Sequence, residues 1–156
     1  MLCTMTSPSA TVSVQRIVRA PAGELFTLIT DPLRHPLMDA TGSIQEAVTT
    51  EPLREVGQRF IHRLSVAWGD QVIVTEVEYW VSRLVPDRSL EWSAPEHGPF
   101  SLSWRLRVDL DPLDEVTTRV IMHFMWADAE AAAAAEPMFS ADELAACLDA
   151  IAEAVE

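Results

Sequence analysis

The 156-residue chain contains no lysine, so its positive charge comes from 11 arginines alone, against 24 aspartates and glutamates. The formal net charge at neutral pH is −13. A surface this acidic repels the phosphates of nucleic acids and the headgroups of anionic lipids. We therefore expect no nucleic-acid partner and no electrostatic docking to membranes, and we interpret the acidity as a solubilising surface.

Cysteine is also scarce, with Cys3 near one end of the chain and Cys147 near the other. Two such residues do not make a disulfide framework, and a reducing compartment fits them best. No apolar run approaches the roughly 18 residues that cross a membrane. The segment Met1–Met5 lacks the basic and apolar regions of a secretion signal. The sequence therefore predicts a cytoplasmic protein with no membrane span.

Motifs that carry chemistry are missing as well. The chain has no metal-ligand spacing, no glycine-rich phosphate loop and no nucleophile elbow. Its four histidines, His35, His62, His97 and His123, are scattered along the sequence. We therefore predict no metal and no cofactor, and we assign no catalytic residue from motifs.

The length and the 49% hydrophobic content predict a single domain with a sizeable core. We expect residues 1–10 to be a flexible lead-in and residues 11–156 to form the domain. Val12, Val14 and Val18 alternate in a first strand that ends at Ala20-Pro21. Two short helices follow: one carries the apolar residues from Leu25 to Ile29, and the other begins at Asp31-Pro32 and runs to about Met38.

After Gly42 the hydrophobic period changes to two, which is typical of strands. Short turns separate the six strands predicted at residues 43–49, 58–68, 71–85, 88–94, 100–111 and 115–127. The clearest alternation places the even-numbered hydrophobic residues from Phe100 to Leu110 on one face and polar residues on the other. Six consecutive strands without intervening helices indicate an antiparallel sheet.

The C-terminal segment predicts a long amphipathic helix. Residues 127–138 are rich in alanine and glutamate and are expected to be partly helical, with an interruption at Pro137. Ser140 and Glu143 then match a capping box, which marks a helix start. The apolar stripe of this helix consists of Leu144, Cys147, Leu148, Ile151 and Val155.

The order of strand, two short helices, six strands and a final helix resembles the START-like helix-grip superfamily (SRPBCC), which includes polyketide cyclase/dehydrase-like proteins and the birch pollen allergen. The segments that carry the resemblance are Ala20-Pro21, Asp31–Pro36, Asp39–Gly42, Val56–Phe60, Pro86–Trp92 and Thr118–Val120. The resemblance implies an α+β helix-grip fold, in which a curved seven-stranded antiparallel sheet wraps around the long C-terminal helix. It also implies a mainly apolar cavity between them, on the order of 300 to 1,000 Å³. Met38 departs from the tryptophan that the superfamily often has there, so ligand preference does not carry over.

His62 and Tyr79 are the two candidates for polar chemistry in that cavity. His62 shares a strand face with Phe60 and Leu64, and could bond a ligand carbonyl or transfer a proton. Tyr79 shares its face with Val81 and could orient a ligand through its hydroxyl. The simpler reading, which we favour for both, is that His62 lies at the sheet edge or is satisfied by a neighbour and that Tyr79 is an ordinary core tyrosine. Glu76, Glu78 and His123 are expected on the outer face.

Tryptophans at positions 92, 104 and 126 fall on apolar faces and could form an aromatic wall or pack as ordinary core. The full predicted ligand-binding set is Met38, Phe60, His62, Leu64, Tyr79, Val81, Trp92, Trp104, Met122, Phe124, Leu148 and Ile151.

Three functions remain open from the sequence. The first is binding or carriage of a hydrophobic small molecule, lipid- or polyketide-like, by a monomer or homodimer. The second is an aromatase/cyclase- or dehydratase-type enzyme that uses His62 and Tyr79. The third is an accessory module that docks another protein through an exposed apolar patch.

Overall fold

The computed structural model describes residues 10–94, 104–126 and 140–156. The strands are β1 (Ala10–Val18), β2 (Ile44–Ala47), β3 (Arg59–Trp68), β4 (Gln71–Val85), β5 (Ser89–Ala94), β6 (Trp104–Asp114) and β7 (Thr117–Trp126). The helices are α1 (Ala22–Ile29), a 3-10 turn (Pro32–Arg34), α2 (His35–Met38) and α3 (Ala141–Val155).

All seven strands form one antiparallel sheet in the order β1-β7-β6-β5-β4-β3-β2. Consecutive strands from β2 to β7 are neighbours, whereas β1 pairs with β7 and is joined to β2 through the short helices. Tight turns join β3 to β4 and β4 to β5. Gly69 (φ 63°) in the first turn and Asp87 (φ 60°) in the second adopt the left-handed conformation that such turns use. The predicted sheet is confirmed.

The alternation in β6 and β7 sets the inner face of the sheet. Val108 lies opposite Met122, and Leu110 lies opposite Val120. All four side chains are buried. On the outer face, Glu78 is exposed and forms an ion pair with Arg59 at 3.0 Å. The period of two therefore identified which side of the sheet faces the core.

Local hydrogen bonds explain where the helices start. The Asp31 side chain accepts a hydrogen bond from the Leu33 backbone N–H at 3.1 Å, next to a proline that suits the first helical turn. At α3 the Ser140 hydroxyl oxygen accepts from the Glu143 N–H at 3.1 Å, and the Glu143 carboxylate accepts from the Ser140 N–H at 3.3 Å. Both bonds of the predicted capping box are present.

Helix α3 packs against β1, β7 and α2, and its buried stripe faces the concave side of the sheet. Leu144, Leu148 and Ile151 are each 1% exposed. The curved sheet thus surrounds the C-terminal helix, which is the helix-grip fold. No helix in the described part of the chain is long and apolar enough to cross a membrane.

Strand β5 differs from its neighbours because the side chains on both of its faces are buried. Glu91 points to the outer side, yet it is only 6% exposed. Its carboxylate accepts a hydrogen bond from the Ser82 hydroxyl at 2.7 Å and lies 3.8 Å from the Arg105 guanidinium. These partners compensate the carboxylate for the loss of water.

Several expectations concern parts outside the described residues. They are the structure of residues 1–9, Phe100 and Leu102 at the predicted start of β6, His97, and the segment 127–138. The side chains of Val66, Trp68 and Trp126 also lie outside the described set, so the third tryptophan of the aromatic wall stays a prediction.

Candidate functional site: a cavity between the sheet and the C-terminal helix

A cavity of about 210 Å³ lies between the concave face of the sheet, α2 with its following loop, and α3. Residues Leu144, Cys147 and Ile151 line it from the helix, because their spacing places them on one helical face. The cavity is where the resemblance placed it. It is smaller than the predicted range because large aromatic rings fill part of the interior.

Eight of the twelve predicted ligand-binding residues line this cavity. They are Met38, His62, Leu64, Tyr79, Trp92, Trp104, Met122 and Ile151. The other four are buried in the core but are not part of the cavity wall: Phe60, Val81, Phe124 and Leu148. They face the interior as the alternation predicted, but the cavity occupies only part of that interior. Ligand contact by any of the twelve stays a prediction.

Sequence reasoning missed twelve further wall residues. They are Ile29, His35, Asp39, Thr41, Ser43, Ile44, Ser65, Leu106, Val108, Glu143, Leu144 and Cys147. Leu106, Val108, Leu144 and Cys147 had been placed on the correct faces without being assigned to a site. Half of the remaining eight lie on α2 and the loop to β2, where no periodicity indicates which side chains point inward.

His35 is the most consequential of the missed residues. It is 1% exposed at the start of α2, and His62 on β3 is also 1% exposed. The Nδ1 atom of His35 lies 2.9 Å from Nε2 of His62, and Nε2 of His35 lies 2.8 Å from the backbone oxygen of Ile29. The two histidines therefore form a buried chain of hydrogen bonds that ends on the backbone of α1.

The Ile29 oxygen determines which nitrogens of the two histidines donate and which accept hydrogen bonds. A carbonyl oxygen can only accept a hydrogen bond, so Nε2 of His35 carries the hydrogen that is shared with Ile29. In a neutral ring this leaves Nδ1 of His35 as an acceptor, and the donor to it is Nε2–H of His62. The remaining nitrogen of His62, Nδ1, is then an acceptor, and none of the described residues bonds to it.

Burial keeps both rings neutral. It lowers the pKa of His35 to about 4, although the bond to Ile29 and the charge of Asp31 act in the opposite direction. Burial, with a smaller contribution from the charge of His35, also lowers the pKa of His62, to about 3. At neutral pH the pair is an uncharged hydrogen-bonding unit.

Aromatic rings hold the pair in place. The His35 ring stacks on Trp92 with centroids 5.1 Å apart, and the His62 ring meets Tyr79 edge to face at 5.0 Å. Phe60 contacts both histidines, with centroids 5.8 and 5.3 Å away. This packing fixes the orientation of the His62 ring, and it fills the interior beside the cavity.

Tyr79 brings a hydroxyl to the cavity wall from β4. Burial raises the pKa of this hydroxyl, and the nearby charge of Asp39 raises it further, so the phenol is neutral. Its oxygen has no hydrogen-bond partner within ranges 10–94, 104–126 and 140–156. The indole N–H of Trp104, which also lines the cavity, is buried and likewise lacks a partner among the described residues.

The charged groups of the wall are both acidic. Asp39 accepts hydrogen bonds from the backbone N–H groups of Thr41 (3.0 Å) and Ile44 (2.8 Å), and from the Thr41 hydroxyl at 2.5 Å. Glu143 comes from the first turn of α3. No arginine is among the described residues that line the cavity.

Cys147 and His123 do not add a reactive group to the cavity. Burial raises the pKa of the Cys147 thiol in the wall, with the Asp39 and Glu143 charges acting in the same direction, so the thiol stays protonated. His123 lies on the outer face, where Ser13 Oγ (2.7 Å) and Asp109 Oδ2 (3.2 Å) bond it. The described residues contain no group of three or more potential metal ligands.

Comparison of sequences finds a partial relative but no family. No protein-family model matches the chain. A 107-residue segment, 69% of the chain, is 30% identical to the "Uncharacterized protein Rv0088" of Mycobacterium tuberculosis. That segment spans only 43% of the length of this relative.

Solved structures share the whole architecture at low sequence identity. The norcoclaurine synthase of Thalictrum flavum in complex with dopamine and hydroxybenzaldehyde superposes with a TM-score of 0.67 and 16% identity, covering 96% of this chain and 87% of that one. The major latex-like protein 151 of Panax ginseng gives a TM-score of 0.71 and 14% identity, covering 94% of this chain and 97% of that one. Similarity at this level shows that the chain has the helix-grip fold of these proteins.

Proposed function

We propose that this protein binds a small, mainly apolar molecule in the cavity between the sheet and α3. The observation that carries the proposal is the cavity itself, whose wall combines apolar side chains with a few placed polar groups, His62, Tyr79 and Asp39. Small-molecule sites have this composition, because apolar burial supplies affinity and a few polar groups fix orientation.

The volume narrows the size of the ligand. An apolar cavity of about 150 Å³ engineered in another protein binds benzene. A cavity of about 210 Å³ therefore suits a compound with one or two rings. A long acyl chain or a folded polyketide exceeds this volume. The norcoclaurine synthase complex contains dopamine and hydroxybenzaldehyde, two one-ring compounds, which agrees with ligands of this size in the same fold.

Binding is better supported than acid–base catalysis. A general acid or base works best when its pKa is close to the operating pH. The pKa of His62, about 3, makes this ring a weak proton acceptor at neutral pH, and the raised pKa of Tyr79 keeps its proton in place. These groups can orient a ligand through hydrogen bonds without transferring a proton. The cyclase or dehydratase alternative would require a substrate that shifts these pKa values.

A protein-docking role is favoured by a pair of exposed leucines. Leu33 and Leu37, four residues apart on the outside of the short helical segment, are 58% and 66% exposed. Size-exclusion chromatography with light scattering would test self-association through them. A dimer that Leu37→Asp converts to a monomer would support this second role. A wild type that stays monomeric at all concentrations would exclude docking to a second copy of the chain.

Native mass spectrometry of freshly purified protein tests the main proposal even while the ligand is unidentified. We expect a fraction of molecules with the added mass of a small compound, or binding of one- and two-ring compounds in ligand-observed NMR. Protein that carries no added mass and binds none of these compounds at millimolar concentration would contradict the proposal.

A further inference from the structure

The polar groups around the cavity differ in whether their acceptor atoms are already hydrogen-bonded within the protein. His62 presents Nδ1 as an acceptor, and its opposite nitrogen is held by His35. The carboxylate of Asp39 is also an acceptor, but two hydrogen bonds from Thr41 and one from the Ile44 backbone already occupy both of its oxygens. Among the described residues, the Nδ1 atom of His62 is therefore an unbonded acceptor that the core holds in a fixed orientation and that cannot also donate, whereas the unbonded hydroxyl of Tyr79 can do either.

The tautomer of His62 cannot adapt to a ligand at low cost. Reversing it would place a hydrogen on Nδ1 and remove the one that Nε2 donates to His35. The Nδ1 of His35 cannot become the donor instead, unless the ring becomes charged or gives up its bond to the Ile29 oxygen. Either change leaves a buried polar group unpaired or buries a charge, and both are unfavourable. The backbone of α1 thus sets the polarity of the ligand site through His35.

The charge of the wall adds a second restriction. Asp39 and Glu143 line the cavity and no arginine among the described residues does, so an anionic ligand would meet only like charges. A carboxylate or phosphate would lose its hydration without gaining a cationic partner.

We infer that the cavity selects one- or two-ring compounds that carry no negative charge and have an O–H or N–H donor, and that this donor bonds Nδ1 of His62. This inference rests on the proposed binding function and specifies its ligand class. Phenols, aromatic alcohols and indole-like N–H compounds belong to the class, and aromatic acids do not. An ether of the same shape can accept a hydrogen bond from Tyr79 or Trp104 but cannot bond Nδ1 of His62, so it should bind more weakly.

The test compares two probes of nearly equal shape. Indole carries an N–H group at the position where benzofuran has an oxygen with no hydrogen. Calorimetric titration of the full chain should show indole binding on the order of tenfold more tightly, since a hydrogen bond to a buried group has about that effect. In His62→Phe the ratio should approach one, because the acceptor is gone. A ratio measured within one variant does not depend on how stable that variant is.

A second measurement needs no ligand. Long-range ¹H–¹⁵N NMR correlations distinguish protonated from bare ring nitrogens, and they should show hydrogen on Nε2 of both His35 and His62. The opposite tautomer on His62 would overturn the inference. Equal binding of indole and benzofuran would also overturn it while leaving the proposed function intact. Binding of neither probe would overturn the inference together with the function.

Discussion

Acidification should destabilise this protein in a pH range where carboxylates are not yet protonated, because of the buried histidine pair. The pKa of His35 is about 4 and that of His62 about 3 in the folded protein, against 6.5 for an ordinary histidine. Below 6.5 the unfolded chain binds protons that the folded chain does not, so the folded state loses stability as the pH falls. The loss begins near pH 6.5 and continues down to the folded-state pKa values.

The magnitude follows from the width of that window. At pH 5 the window is about 1.5 pH units wide for each ring, and each unit corresponds to about 1.4 kcal/mol, which gives about 2 kcal/mol per histidine. The pair together should lower the free energy of unfolding by about 4 kcal/mol between about pH 7.5 and pH 5. This is a large share of the roughly 5–15 kcal/mol that stabilises a typical domain.

Urea unfolding followed by tryptophan fluorescence at the two pH values measures this loss. The variant His62→Gln removes one titrating ring, so its loss should be about half that of the wild type. Burial acts to raise the pKa of Asp109, but hydrogen bonds from Arg107 and Ser89 lower it overall, so this carboxyl affects stability only below its ordinary pKa of 3.8 and lies outside the window. A wild-type loss below about 1 kcal/mol, or an equal loss in His62→Gln, would refute the reasoning about the pair.

Three further predictions concern the wall and the helix that carries it. Glu143→Gln should increase the affinity for aromatic carboxylates relative to the matching alcohols, because it removes one of the two negative charges of the wall while glutamine preserves the capping box. Calorimetry with benzoate and benzyl alcohol measures this ratio of affinities, and an unchanged ratio would count against the charge argument. Ser140→Ala should lower the free energy of unfolding by about 1 kcal/mol, since an N-cap bond is lost; urea unfolding at neutral pH should detect it, and no change would contradict the assigned role of the cap. In a Cys3→Ser background, Cys147 should react with a thiol reagent more slowly than free cysteine at neutral pH, because burial raises its pKa. Reaction at the rate of free cysteine would contradict the burial of Cys147 in the cavity wall.

Much of the fold could be predicted because a strand reports its inner face directly. In β6, Val108 and Leu110 alternate with polar residues, and the structure buries both. The same period is less informative for β5, where Glu91 lies on the outer face but is covered by Ser82 and Arg105 from neighbouring strands. The polarity of Glu91 therefore indicates the face on which it lies, whereas its burial depends on side chains from the neighbouring strands.

The site was harder to predict because it depends on contacts between distant segments. His62 was a candidate from its strand face, but its partner His35 lies 27 residues earlier, on a four-residue helix where no period operates. The His-Pro segment of the helix-grip resemblance was the only signal that pointed to His35. Cavity size was also not predictable, because alternation assigns Phe60 and Tyr79 to the same interior without showing that only Tyr79 lines open space.

A calorimetric titration with indole tests the central claim that the space between the sheet and α3 is the binding site. Cys147→Phe places a ring inside this space, and Val74→Phe places one on an exposed position of β4 as a matched control. We predict that the wild type and Val74→Phe bind indole equally well, and that Cys147→Phe folds but does not bind it. Equal binding by all three proteins would contradict the claim.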